Sequence, residues 1–289
     1  TISRRQRQMC IRDRTIIETV TVAADPITVT VEADPYADST LEGKISSDKA
    51  LSADKVWLLK GRVIVESGAT LTIPAGTVIK AEPGSGADAS TLIIARGGKI
   101  DAKGTAAKPI IMTSKSDNIK ADGTYPTSGK SLTVDARGLW GGLLVLGKAP
   151  SSFKGDVTEL QIEGIPVTET AGLYGGSDAA DDSGVMQYIS IRHGGAEIGE
   201  GNEINGLTLG GVGNKTVIDH IEVVANVDDG IEFFGGTVDA SYLMVYGQGD
   251  DALDIDQAYS GTVDNAMVVL TSASDHGMEI DGPEGSLAG

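Results

Sequence analysis

NVDDGIEFFGG (226–236), QGDDALDIDQA (248–258) and SDHGMEIDGPE (274–284) are one phrase written three times. Asp228 is followed by Asp250 and Asp275, at spacings of 22 and 25 residues. Counting backwards, Asn205 lies 24 residues before Asp229, and Leu207 and Leu209 stand where Ile231 and Phe233 recur. The segments that precede the acidic turns align as well: YISIRHGG from Tyr188, HIEVVANV from His220 and YLMVYGQG from Tyr242. A repeat of this period marks a stacked architecture in which no single unit buries its own apolar face. The units are short β phrases without helical periodicity between them. That pattern predicts an all-β chain wound as a single-stranded, right-handed parallel β-helix, since parallel crossovers are almost always right-handed. About nine to eleven coils are expected from the repeat length.

The rest of the chain fits that reading. Aromatic residues make up only 4% and glycines number 39, which suits a narrow aliphatic core turned at tight corners. From Leu41 to Ser114, apolar runs of three to five residues alternate with KG, ESGA and PAG corners. These suit a three-sided coil better than hairpins, with a β-sandwich as the alternative for this block. Two polar stretches, near 115–134 and 151–183, read as loops thrown out from the coils, a usual place for binding residues. Regular coils resume at Val185, and residues 41–289 form the expected solenoid. Gly289 interrupts a repeat, so a truncated C-terminal end is expected.

Residues 1–14 are set aside as a technical scar, because Arg4–Asp13 (RRQRQMCIRD) matches the translation of a transposon-type sequencing adapter. The single cysteine, Cys10, lies inside it, so no disulfide or thiol chemistry is expected. Without its five arginines and one aspartate, 18 basic residues face 40 acidic ones, and the net charge goes from −18 to −22. Such a surface repels nucleic acid and anionic lipid and attracts cations. Residues 15–40, with Thr/Val alternation broken by two Asp-Pro pairs, read as an extended linker or an N-terminal edge. No apolar run is long enough to predict a transmembrane segment.

The chain resembles a family of secreted bacterial proteins with a right-handed parallel β-helix, common in marine, Bacteroidetes-type bacteria. The resemblance rests on LTIPAGTVIKA (71–81), LIIARGGKIDAKGTAAKPIIMTS (92–114), RGLWGGLLVLGKAP (137–150), LYGGSDAADDSGVMQYISIRHGG (173–195) and HIEVVANVDDGIEFFGGTV (220–238). It implies a surface lipoprotein or secreted protein of unassigned activity, placed outside the cell or on the outer membrane. It implies no substrate.

The acidic ladder is the strongest candidate for chemistry. If Ile231, Leu253 and Met278 point inward, Glu232, Asp254 and Glu279 point outward as one column, with Phe233, Ile255 and Ile280 returning to the core. Like charges one rung apart repel by roughly 0.9 kcal/mol even at water's dielectric constant. Asp228, Asp229, Asp250, Asp251 and Asp275 add a second acidic column at the corner. No Lys or Arg lies between Thr216 and Gly289 to offset it. Three readings follow: a hydrated face whose corner aspartates accept backbone N–H bonds, a calcium site, or paired carboxylates in a glycoside hydrolase or polysaccharide lyase. For the enzymatic reading the candidates are Asp250, Asp251, Asp275 and His276, since Asp275-His276-Gly277 distantly resembles a polygalacturonase-type turn; the NTD and Arg-Ile-Lys phrases of those enzymes are missing.

Arg192 and His193 are candidates for a sugar or anion clamp and a general acid, beside Glu197 and Glu203. The structural alternative pairs the arginine with a carboxylate and the histidine with backbone. Trp140 reads equally as a sugar-stacking platform or core filler. His220 aligns with Tyr188 and Tyr242, which favours a structural role. The expected function is a non-enzymatic, surface-displayed protein whose acidic face meets a polysaccharide, a cell-surface component or a cation.

Overall fold

A computed structural model describes residues 17–22, 25–30, 34–127, 131–198 and 203–286. The adapter-like residues 1–14 lie outside the described residues. The linker or edge stretch carries a small antiparallel ribbon, Ile17–Val22 against Asp25–Thr30. From Thr40 onward, 17 strands join one parallel sheet that coils on itself. Every pairing within that sheet is parallel, which removes the sandwich alternative for Val56–Ser114.

The coils stack their strands into three columns. The first runs through Leu58, Lys80, Thr113, Arg192, Val224, Tyr246 and Val269, with Thr40 as its first rung. The second runs through Ile64, Ile93, Leu144, Thr208, Glu232, Asp254 and Glu279, with Lys44 first. The third begins at Lys49 and continues through Leu71, Ile100, Gly184, Val217 and the rungs at Ala240 and Val263. Among the described residues the first two columns thus have eight rungs and the third has seven, where nine to eleven coils were expected. The two excursions absorb the difference, because each consumes about a coil's worth of chain without adding a rung.

Side chains alternate across each strand. Inside the tube a continuous core runs from Leu41 through Leu92, Val145 and Leu209 to Leu253. The last rung has nothing stacked on it among the described residues. Met278 and Ile280, expected in the core, are accordingly exposed, Ile280 by 66%.

Corners are turned by single residues. Gly43 (φ +69°) and Gly61 (φ +62°) bend Thr40–Ile45 and Val56–Val65 from the first column into the second. In the last four coils the bend from the third column to the first is made by Tyr188, His220, Tyr242 and Asn265, all at φ between +49° and +59°. A bulky residue in this left-handed region is costly. Here the rings stack: Tyr188 on His220 at 4.2 Å and His220 on Tyr242 at 4.5 Å between centroids. His220 is therefore structural, as its alignment implied.

The excursions do not stand away from the solenoid. Phe153, Ile162, Ile165 and Tyr174, from the second one, pack on the outer residues Ile64, Ile93, Leu144, Leu146 and Phe234 of the second column. Ile119, from the first, covers Val78 and Ile111 on the outside of the first column. No described helix is long and apolar enough to cross a membrane.

Candidate functional site

The outer line of the second column changes character along the solenoid: Lys44, Ile64, Ile93, Leu144, Thr208, Glu232, Asp254, Glu279. Apolar rungs lie under the second excursion and acidic rungs emerge beyond it. Glu232 sits where the two meet. It points outward in the expected phase, yet it is only 7% exposed, so the hydrated face expected there is corrected at this rung. Tyr174 and Phe234 beside it form an edge-to-face pair at 5.9 Å. Its carboxylate receives the Nδ2 of Asn205. Asp254 is half-buried, and its Oδ1 accepts no hydrogen bond.

At the adjoining corner the aspartates behave as corner aspartates do. Asp229 Oδ1 accepts the Asp251 N–H at 3.0 Å, and Asp251 Oδ1 accepts the His276 N–H at 2.8 Å. Each ties one coil to the next, as expected of corner aspartates that accept backbone N–H bonds.

Two trios of carboxylates result: Asp228, Asp229 and Asp250, and Asp229, Glu232 and Asp254. Within each, one oxygen per residue lies within 4.8 Å of the others, and Asp229 belongs to both. Burial is the first cause that pushes these groups upward, and neighbouring carboxylates add to it. Asp229 reaches about 8, with Asp228 the leading neighbour. Asp228 reaches about 6, with Glu203 leading. Glu232 is driven well above its ordinary range, burial first and then Glu163 and Asp229. Asp254 and Asp250 also rise through burial.

The donor set of the two trios is all carboxylate oxygen, and Asn205, which donates its Nδ2 to Glu232, has a buried Oδ1 without a partner. That suits a hard divalent cation, which takes carboxylate and amide oxygens. It does not suit zinc, which favours nitrogen and sulfur.

The other candidates fall elsewhere. Asp251 is buried and joins neither trio; Glu279 and Asp275 are exposed on the last described rung. His276 is exposed, with Nδ1 3.1 Å from Asp251 Oδ1. Trp140 is 1% exposed and donates its Nε1–H to the Arg192 carbonyl, so it fills the core and is no sugar platform. His193 is buried, bonded through Nδ1 to the Ala136 carbonyl at 2.7 Å, and burial lowers its pKa. A neutral, buried imidazole does not serve as the expected general acid. Arg192 pairs with Glu222 and not with Glu197 or Glu203.

Sequence reasoning missed Glu163, which comes from the excursion, and set Glu203 beside Arg192, whereas it lies near enough to Asp228 to raise it. Glu163 remains exposed to solvent, but the surrounding protein strips enough water from its carboxyl to raise it to about 7, with Asp228 and Asp254 adding to the rise. Nothing in IEGIP (162–166) marks it, because its leading carboxylate neighbours, Asp228 and Asp254, come from coils more than sixty residues away. Asp256, raised to about 6 by burial, is the next outer residue after Asp254 and was readable from the strand alternation.

No curated protein and no solved structure matches this chain significantly. Residues 43–288, nearly the whole solenoid, match the family model described as a pectate-lyase-like β-helix domain. With eight stacked rungs and that match across most of its length, the chain belongs to the pectate-lyase-like β-helix family.

Proposed function

We propose that this domain works by binding: it holds a divalent cation, calcium by donor chemistry, at Asp229, Glu232 and Asp254, with Asp228 and Asp250 beside them. The domain is then part of a protein displayed outside the cell, where the cation-loaded face meets a polysaccharide or another cell-surface component. The observation that carries this is the pair of carboxylate trios sharing Asp229, in a stretch with no Lys or Arg from Thr216 onward. The extracellular placement is supported by the family, whose domains are often extracellular, and by the acidic composition.

The test is thermal. A cation that binds only the folded solenoid raises the melting temperature with its concentration, by mass action. Calcium titrated into chelator-treated protein without residues 1–14 is expected to raise Tm progressively. Glu232→Gln combined with Asp254→Asn is expected to remove most of that rise and to stabilise the metal-free protein. Calcium-independent melting of the parent protein sinks the cation reading and leaves a hydrated acidic face.

A second reading, a polysaccharide lyase or glycoside hydrolase, is favoured by one observation. Glu163 is solvent-exposed, its carboxyl is pushed up to about 7, and Asp228 and Asp254 lie near enough to add to that rise. A carboxyl raised towards neutrality beside other carboxylates is the kind of group that general acid catalysis uses. Release of reducing or unsaturated ends from a polysaccharide panel, abolished by Glu163→Gln, would establish it in place of simple binding.

A further inference from the structure

A cavity of about 380 Å³ opens on a different face, outside the first column and away from the acidic trios. Its floor is the outer line of that column, Arg192, Val224 and Tyr246 on three successive rungs. Glu222 stands beside them, and Tyr125 with Leu132–Val134 of the first excursion forms the opposite wall. The size falls within the range of small-ligand sites.

The polar side is assembled with care. Arg192 Nε donates to Ser190 Oγ at 2.7 Å and Nη1 to the Tyr125 hydroxyl at 3.0 Å. Its Nη2 lies 3.5 Å from Glu222 Oε2, and Ser190 Oγ donates to that same oxygen. Tyr125 in turn donates to Asp117 Oδ2 at 3.2 Å, and Asp117 is buried. Arginine has five N–H donors, so this network orients the guanidinium while leaving donors on both Nη atoms for a ligand. Glu222 offers an acceptor oxygen next to them. Of the remaining lining, Val224, Tyr246, Leu132 and Val134 are apolar or aromatic, and Thr133 and His193 are polar.

We infer that this cavity binds one neutral hexopyranose unit of a saccharide, through a donor–acceptor pair on Arg192 and Glu222 and an apolar wall at Tyr246 and Val224. Adjacent hydroxyls on a sugar ring each donate and accept, and a guanidinium beside a carboxylate answers both roles at once. The C–H face of a pyranose is apolar and packs on an aromatic ring as other amphipathic groups do. An anionic ligand fits less well, because Glu222 already balances the Arg192 charge and the whole chain carries −18. The inference extends the binding reading to a second face and does not depend on the cation.

The experiment is ligand-observed saturation-transfer NMR in the presence of a chelator, with methyl glucoside, galactoside and mannoside as neutral probes and methyl galacturonide as the anionic one. At least one neutral glycoside is expected to receive saturation, and more strongly than the uronide. Tyr246→Ala, which removes the wall, and Glu222→Gln, which removes the acceptor charge, are each expected to weaken binding by about tenfold. Glu232→Gln with Asp254→Asn is expected to leave it unchanged, so failure here is separable from failure of the cation reading. Absence of transfer to all three neutral probes overturns the inference. So does stronger binding of the uronide, or a signal indifferent to both pocket variants.

Discussion

Asp229 carries the sharpest consequence at the scale of single residues. Its carboxyl is raised to about 8, Glu163 to about 7, and Asp228 and Asp256 to about 6. A raised folded-state pKa means the folded protein keeps protons that the unfolded chain would release. Stability from these groups is therefore fully present below about pH 4, their unfolded range, and drains away as pH rises through about 6 to 8. In chelator, the denaturation midpoint is expected to fall from about pH 5 to about pH 8.5, and Asp229→Asn to flatten the steepest part of that fall. With calcium present the slope is expected to shrink, because a cation takes the deprotonated ligands and opposes reprotonation. A midpoint independent of pH in chelator would show that these carboxyls are not perturbed. The outward phase of Glu232, Asp254 and Glu279 was readable from strand alternation. The burial of Glu232 was not, since it comes from Tyr174 and its neighbours, which no local pattern ties to that rung.

The element that creates this burial is the second excursion. Phe153, Ile162, Ile165 and Tyr174 form an outer apolar layer on the second column, with Phe153 and Tyr174 edge-to-face at 5.2 Å. The Tyr174 hydroxyl also donates to Gln257 Oε1 at 2.7 Å, tying the excursion to a coil 83 residues later. Tyr174→Ala should cost about 3–5 kcal/mol, typical for removing a buried aromatic. It should also wet Glu232 and weaken the pH dependence above, whereas Tyr174→Phe should cost only about 1 kcal/mol for the lost hydrogen bond. Denaturant titration of both variants decides whether the excursion is a covering layer or a passive loop. Composition misled here: Gly, Asp and Ser dominate 151–183, and the four residues that dock are scattered singly among them. By contrast the repeat read from Asp228, Asp250 and Asp275 was legible because stacking demands register, and Glu232, Asp254 and Glu279 do pair in sequence order.

For the whole molecule, stacking makes stability close to one-dimensional, each coil leaning on its neighbours. The strand Val263–Val269 and the pair Glu279–Ile280 are largely exposed, while Thr91–Ile94 and Leu143–Leu146 are wholly buried. Amide exchange should accordingly be fastest at the Ile280 end and slowest around Leu92–Val145, falling off rung by rung between them. Uniform protection across all rungs would mean the solenoid opens only as a unit.

The one-residue corner at Tyr188, His220, Tyr242 and Asn265 has a consequence for how such a chain grows. The third and first columns keep a fixed phase across it, while the distance along the chain between successive corners ranges from 22 to 32 residues. All length variation is thus confined to the other two bends. A segment cut from His220 to Ser241 begins and ends at equivalent points, so its two ends match any neighbouring coil. Genetic duplication of such a segment would splice in a working coil without retuning its flanks, and the left-handed corner is the seam at which the protein can be lengthened.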